Sequence, residues 1–127
     1  MNLYRVSLLI QVGFYLVAGI NHFRDPGFYL PLIPNYLPAP SAINIGSGIL
    51  EIALALGLWW SPTRKWASWG IVAMLIAFIP SHVYFIQIGS CIPDGLCTPT
   101  WVAWFRLLAI HPFFMGWAAW QGRKRLH

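Results

Sequence analysis

Apolar residues run almost unbroken through four stretches of the chain: about Leu3 to Phe23, Ala42 to Trp60, Trp66 to Gln87 and Trp101 to Trp120. Each holds about 20 residues, which as a helix rising 1.5 Å per residue is enough to cross a hydrocarbon core. Helices are the expected form because a bilayer leaves backbone polar groups no other partner. The pattern predicts an all-α integral membrane four-helix bundle, a single domain over residues 1–127. A cleaved leader would also start with Arg5 and an apolar run, with Val17-Ala18-Gly19 as a weak cleavage site. The length of that run and the three spans after it point to a first span instead.

Composition agrees. The chain is 58% hydrophobic and 9% charged, whereas a soluble domain carries about 25% charged residues. Net charge is +5, but the basic residues do not form the single patch that nucleic acid would need. Arg5, Arg64, Lys65, Arg123, Lys124 and Arg125 flank the apolar segments, where they act as topology signals and meet lipid headgroups. All eight tryptophans (Trp59, Trp60, Trp66, Trp69, Trp101, Trp104, Trp117 and Trp120) sit toward segment ends, as indole favours the membrane–water interface. Four crossings place the N-terminus, the Ser61–Lys65 turn and the C-terminal tail on one side. The positive-inside rule makes that side cytoplasmic. The expected location is a bacterial inner membrane with both termini inside and loops 21–41 and 88–100 in the periplasm.

The two outward loops differ. The first interleaves Pro26, Pro31, Pro34, Pro38 and Pro40 with Phe28, Tyr29, Leu30, Leu32, Ile33, Tyr36 and Leu37. That proline density blocks a long regular helix, and the apolar residues suit a lid packed over the bundle mouth; a linker lying on the headgroups is the plainer alternative. The second loop carries Cys91 and Cys97, which an oxidising compartment allows to pair as a structural disulfide.

Ionisable residues inside a span cost about 2.5–3.5 kcal/mol at mid-helix and need partners or water. Here they are His22, Glu51, His82, Arg106 and His111. Glu51 lies about 14 Å in from the outer end of its helix, Arg106 roughly 8 Å and His111 roughly 15 Å, by the helical rise. His22 and His82 sit near the outer ends of theirs, so all five belong to the outer half, and the cytoplasmic half reads as apolar and inert. Asn44, Ser47, Gly48 and Glu51 form one helical stripe. Arg106 and His111 are five apart, roughly 140° around an α-helix, so both face inward only at the edges of a broad face, and Arg106 could snorkel outward. Pro80 kinks the third helix and frees the carbonyl of Ile76.

Three readings of these residues stay open. One is a structural network in which Glu51 pairs with Arg106. Another is an outward-facing polar pocket formed by His22, Asn44, Ser47, Glu51, His82, Arg106 and His111. The third is a three-histidine-plus-Glu51 metal site, which lacks any HExxH-like spacing; haem ligation by two histidines is weaker still.

Several short motifs, in order along nearly the whole chain, resemble the DoxX family of small bacterial membrane proteins. They are Gly19-Ile20-Asn21-His22-Phe23, Pro34-Asn35-Tyr36-Leu37-Pro38-Ala39-Pro40, Ser47-Gly48-Ile49-Leu50-Glu51-Ile52, Pro62-Thr63-Arg64, Pro80 with Val83-Tyr84, and Trp104-Phe105-Arg106-Leu107. His82 stands where such chains often have Asn, and Leu108 and Ile110 where they often have Pro and Gln. His22, Glu51 and Arg106 therefore carry over better than His82 or His111. The resemblance implies a four-helix membrane bundle with a loose tie to redox chemistry, since relatives include a subunit of a thiosulfate:quinone oxidoreductase.

The expected function is an accessory subunit tied to redox chemistry, with a pocket for a quinone-like or other small ligand. Membrane lipids and another membrane or periplasmic redox subunit are the expected partners. A non-enzymatic assembly or stabilising partner, or a small-molecule carrier, is the alternative. Thiol–disulfide exchange through Cys91 and Cys97 is the weakest reading, because the pair lacks the CxxC spacing.

Overall fold

In the computed structural model, which describes residues 2–123, four helical stretches are long and apolar enough to cross a membrane. Helix α1 runs Leu3–Arg24, the short α2 Pro26–Tyr29, α3 Pro40–Trp59, α4 Arg64–Gln87, α5 Thr100–Phe105 and α6 His111–Arg123. Residues Arg106–Ile110 form a π-helical turn that joins α5 to α6 into one span. No strand lies among the described residues. Lys124 and Arg125, part of the basic rim read from the sequence, lie outside them.

Local chemistry sets the helix ends. The Asn2 side chain accepts from the Arg5 N–H at 2.9 Å, an N-cap. Pro40 opens α3 at the first helical position, where its missing N–H is harmless. The last carbonyls of α3 would be orphaned. Arg64 takes two of them, donating from Nε to Leu58 O at 2.7 Å and from Nη2 to Trp59 O at 3.1 Å. The Thr63 hydroxyl donates to Gly57 O at 2.8 Å. Arg64, read from the sequence as a topology charge, is thus also a helix cap.

The spans pack in a closed ring: α1 on α3, α3 on α4, and α4 on α6. Side chains of α1 and α6 complete it, with Phe14 stacked on Phe114 at 5.0 Å and Trp117 Nε1 donating to Ser7 Oγ at 2.7 Å. The bundle therefore has a basic end, near Arg5 and Arg64, and a capped end, near His22. The larger apolar cluster, including Tyr4, Leu8, Val12, Leu58, Ile71 and Ala118, fills the basic half. A smaller one, Phe85, Ile92 and Ala103, lies at the capped end.

The proline-rich segment folds back onto the capped end as α2 and the short 3₁₀ turn Leu30–Leu32. It is fastened by Ser81 Oγ donating to Leu32 O at 2.7 Å, by Asn21 Nδ2 donating to Tyr29 OH at 3.0 Å, and by Tyr36 set edge-on to Tyr84. The Cys91–Cys97 disulfide closes a tight loop. Ile92 N–H donates to Leu96 O at 2.8 Å within it, and buried Ile92 plugs into the cluster with Phe85.

Candidate functional site

Two polar clusters hold the five ionisable residues. The first lies between α1 and α3, which can approach closely because of two glycines. A Cβ on Gly19 would come within 2.9 Å of Gly48 O, and one on Gly48 within 2.8 Å of His22 Cβ. Small residues at helix crossings serve this purpose in membranes.

That approach places His22 against Asn44 and Glu51, all three buried. Asn44 Nδ2 donates to the His22 carbonyl at 3.0 Å, and its Oδ1 lies 2.7 Å from His22 Nδ1. A carbonyl only accepts, so the amide nitrogen must face it, and the amide oxygen must face the ring. Asn44 Oδ1 therefore accepts from Nδ1–H, and the neutral ring keeps its lone pair on Nε2. Nε2 points to Glu51 Oε2 at 3.4 Å, beyond the usual hydrogen-bond range, and Oε2 is left without a hydrogen-bond partner. Tyr29 of the cap lies flat on the imidazole, with centroids 3.8 Å apart and planes 22° apart. Ser47, on the same stripe, is half-buried and outside this network.

The second cluster lies between α4 and the fourth span. His82 and His111 meet edge to face with centroids 4.7 Å apart, and Arg106 sits 5.7 Å over the Phe85 ring. Arg106 and His111 both lie within electrostatic reach of His82. The π turn accounts for this. The His111 N–H bonds to Arg106 O, five residues back, so one wider turn brings the two toward the same side. The separation of roughly 140° expected for an α-helix does not hold here. Pro112, with no N–H to give, follows directly. His111 Nε2 donates to Leu75 O, the carbonyl next to that of Ile76, which Pro80 was expected to free.

The sequence reading thus needs three corrections. The residues fall into two clusters instead of one pocket: no hydrogen bond, ion pair or ring contact among the described residues joins them, and Glu51 pairs with His22 instead of Arg106. The histidine–glutamate cluster is closed, with Tyr29 over it. The basic half is not uniformly apolar: Gln11, Ser68 and Gln121 are all buried there. Ser7, Gln11, Tyr15 and His22 share a face of α1 at spacings of four, four and seven, a signal present in the sequence but masked by the apolar run around it. No group of three His, Cys, Asp or Glu side chains suited to a metal ion occurs among the described residues. A groove of about 370 Å³ runs beside the cap, lined by Leu30, Pro31, Ile33, Pro34, Asn35, Leu37, Pro40 and Tyr84.

No curated protein and no solved structure matches the chain. The family match corrects the resemblance to DoxX: residues 12–121 match a different family, and the redox tie that DoxX implied loses its basis. A match over most of the chain shows that the protein belongs to the family described as a domain of unknown function (DUF8561).

Proposed function

We propose that the protein is a multi-pass membrane protein that binds a small amphipathic molecule with a flat, polar ring, of which a quinone is one example. The observation that carries this is the buried Glu51 Oε2, without a hydrogen bond, 3.4 Å from His22 Nε2 beneath a stacked Tyr29. An intramembrane carboxyl without a hydrogen bond is costly to keep and marks a functional site by default. Tyr29 occupies the position a ligand ring would take, stacked on the imidazole with polar atoms toward Glu51. The groove that begins at the next residue, Leu30, has the size and apolar lining to take a hydrocarbon tail. The loop disulfide fits a cap that faces an oxidising compartment, and the basic rim fits a cytoplasmic location for both termini.

Titration of the purified protein with a short-chain ubiquinone, followed by equilibrium dialysis in mixed micelles, tests the reading. Saturable binding that weakens strongly in Glu51→Gln and tightens in Tyr29→Ala is expected. Linear partitioning, identical in wild type and both variants, would overturn it.

A further inference from the structure

The basic half of the bundle carries polar atoms that no protein group satisfies. Neither Nε2 nor Oε1 of Gln11 has a hydrogen-bond partner, and the same holds for Ser68 Oγ, Gln121 Oε1 and Tyr15 OH. All four residues are at least nine-tenths buried. Native interiors leave few such groups, and each calls for an explanation; in hydrocarbon each costs several kcal/mol.

These groups lie along one line. Ser7, Gln11 and Tyr15 follow each other at four-residue steps, which stacks them on one face of α1. Gln121 reaches Ser7 Oγ at 3.1 Å, and its neighbour Gly122 lies so near Ser68 that a Cβ there would sit 3.0 Å from Ser68 Cβ. Tyr15 lies within electrostatic reach of Glu51. One turn on, a Cβ at Gly19 would sit 3.1 Å from Glu51 Cβ, and Glu51 faces His22. From Ser7 to His22 the line covers about 22 Å of helix, most of a hydrocarbon core about 30 Å thick.

We infer that this line is a hydrated proton path through the bundle, with Glu51 as its relay. Buried waters need two to four polar partners each, and Gln11, Ser68, Gln121 and Tyr15 offer them. A proton entering from the basic end passes along these waters to the Glu51 carboxylate. The carboxyl hands it to His22 Nε2, leaving carboxylate and imidazolium. When Tyr29 lifts off the ring, Nε2 releases it to water at the capped end, restoring neutral imidazole. One proton enters and one leaves, and no electron moves. Asn44 holds the Nδ1 proton throughout, so exchange runs through Nε2 alone. The titratable groups found to act on Glu51 are His22 and Tyr15, both on α1, and His22 is its sole ion-pair partner among the described residues.

The path needs no ligand, so its test is separate from quinone binding. The full chain is reconstituted into liposomes that trap a pH-sensitive dye, and a potassium diffusion potential, negative inside, is imposed with valinomycin. Internal acidification several-fold faster than in protein-free vesicles is expected, falling to the protein-free rate in Glu51→Gln and in Gln11→Leu. A wild-type rate equal to that of protein-free vesicles overturns the inference whatever the variants do. So does an undiminished rate in Glu51→Gln.

Discussion

The two helix pairs bury their histidines by different means. The α1–α3 pair is regular and relies on Gly19 and Gly48 for close approach. Its His22 then bonds side chain to side chain, with the proton on Nδ1. The pair of α4 with the fourth span carries irregularities: Pro80 lies inside one helix and the π turn widens the other. Its His111 donates to a backbone carbonyl, with the proton on Nε2. Across the first seam Asn44 grips both the ring and the backbone carbonyl of His22; across the second a single backbone carbonyl holds His111. The first arrangement leaves a buried carboxylate oxygen, Glu51 Oε2, without a hydrogen bond; the second ties its buried histidine, His111, to Leu75 O.

The comparison breaks most sharply at Gly48. A leucine there would drive into His22 and the Gly19 carbonyl, so Gly48→Leu should cost about 3 kcal/mol, read from denaturant unfolding in micelles by circular dichroism. The same substitution at Gly46, where a Cβ would meet nothing within 4 Å, should leave the midpoint nearly unchanged. Equal midpoints for the two variants would refute the glycine seam.

On the other pair, His111→Ala should cost about 2 kcal/mol, because it removes the buried bond to Leu75 O and leaves a cavity where the ring packed. It should leave any ligand binding at His22 intact if the clusters are independent. Cys97→Ser opens a short loop and should cost about 2 kcal/mol in the chain-entropy account. Hydrogen exchange should show the loss confined to the capped end around Ile92. The smallest effect is expected for Glu51→Gln, whose amide can donate to His22 Nε2: under about 1 kcal/mol in the same unfolding assay. A large loss there would mean that the carboxyl is chiefly structural.

Much of the fold was legible. The expected spans match the observed helices to within a few residues at each end, because hydrophobic length is a strong signal in so uncharged a chain. The stripe of Asn44, Gly48 and Glu51 was legible too, since three buried positions at helical spacing stand out. Pairing was not. A pair of Glu51 with Arg106 was one of three open readings, resting on charge alone, and a linear chain does not say which helix lies opposite. The π turn escaped because its signal, Pro112 one residue after His111, marks a disruption without giving its form. Gln11, Ser68 and Gln121 were overlooked because uncharged polar residues barely lower the hydropathy of a long apolar window.

A π turn equals one extra residue threaded into an α-helix, so it acts as an insertion written in three dimensions. Everything after it is turned by about 100° relative to an uninterrupted helix. The His111 bond to α4, the Gln121 bond to Ser7 and the fit of Gly122 against Ser68 all lie downstream. A chain shortened by one residue within Arg106–Ile110 would keep its hydrophobic length and its four spans, yet present the wrong face of α6 to the bundle. In comparing members of this family, a one-residue gap at this place should therefore be weighed as a change of interior, not as a trimmed loop.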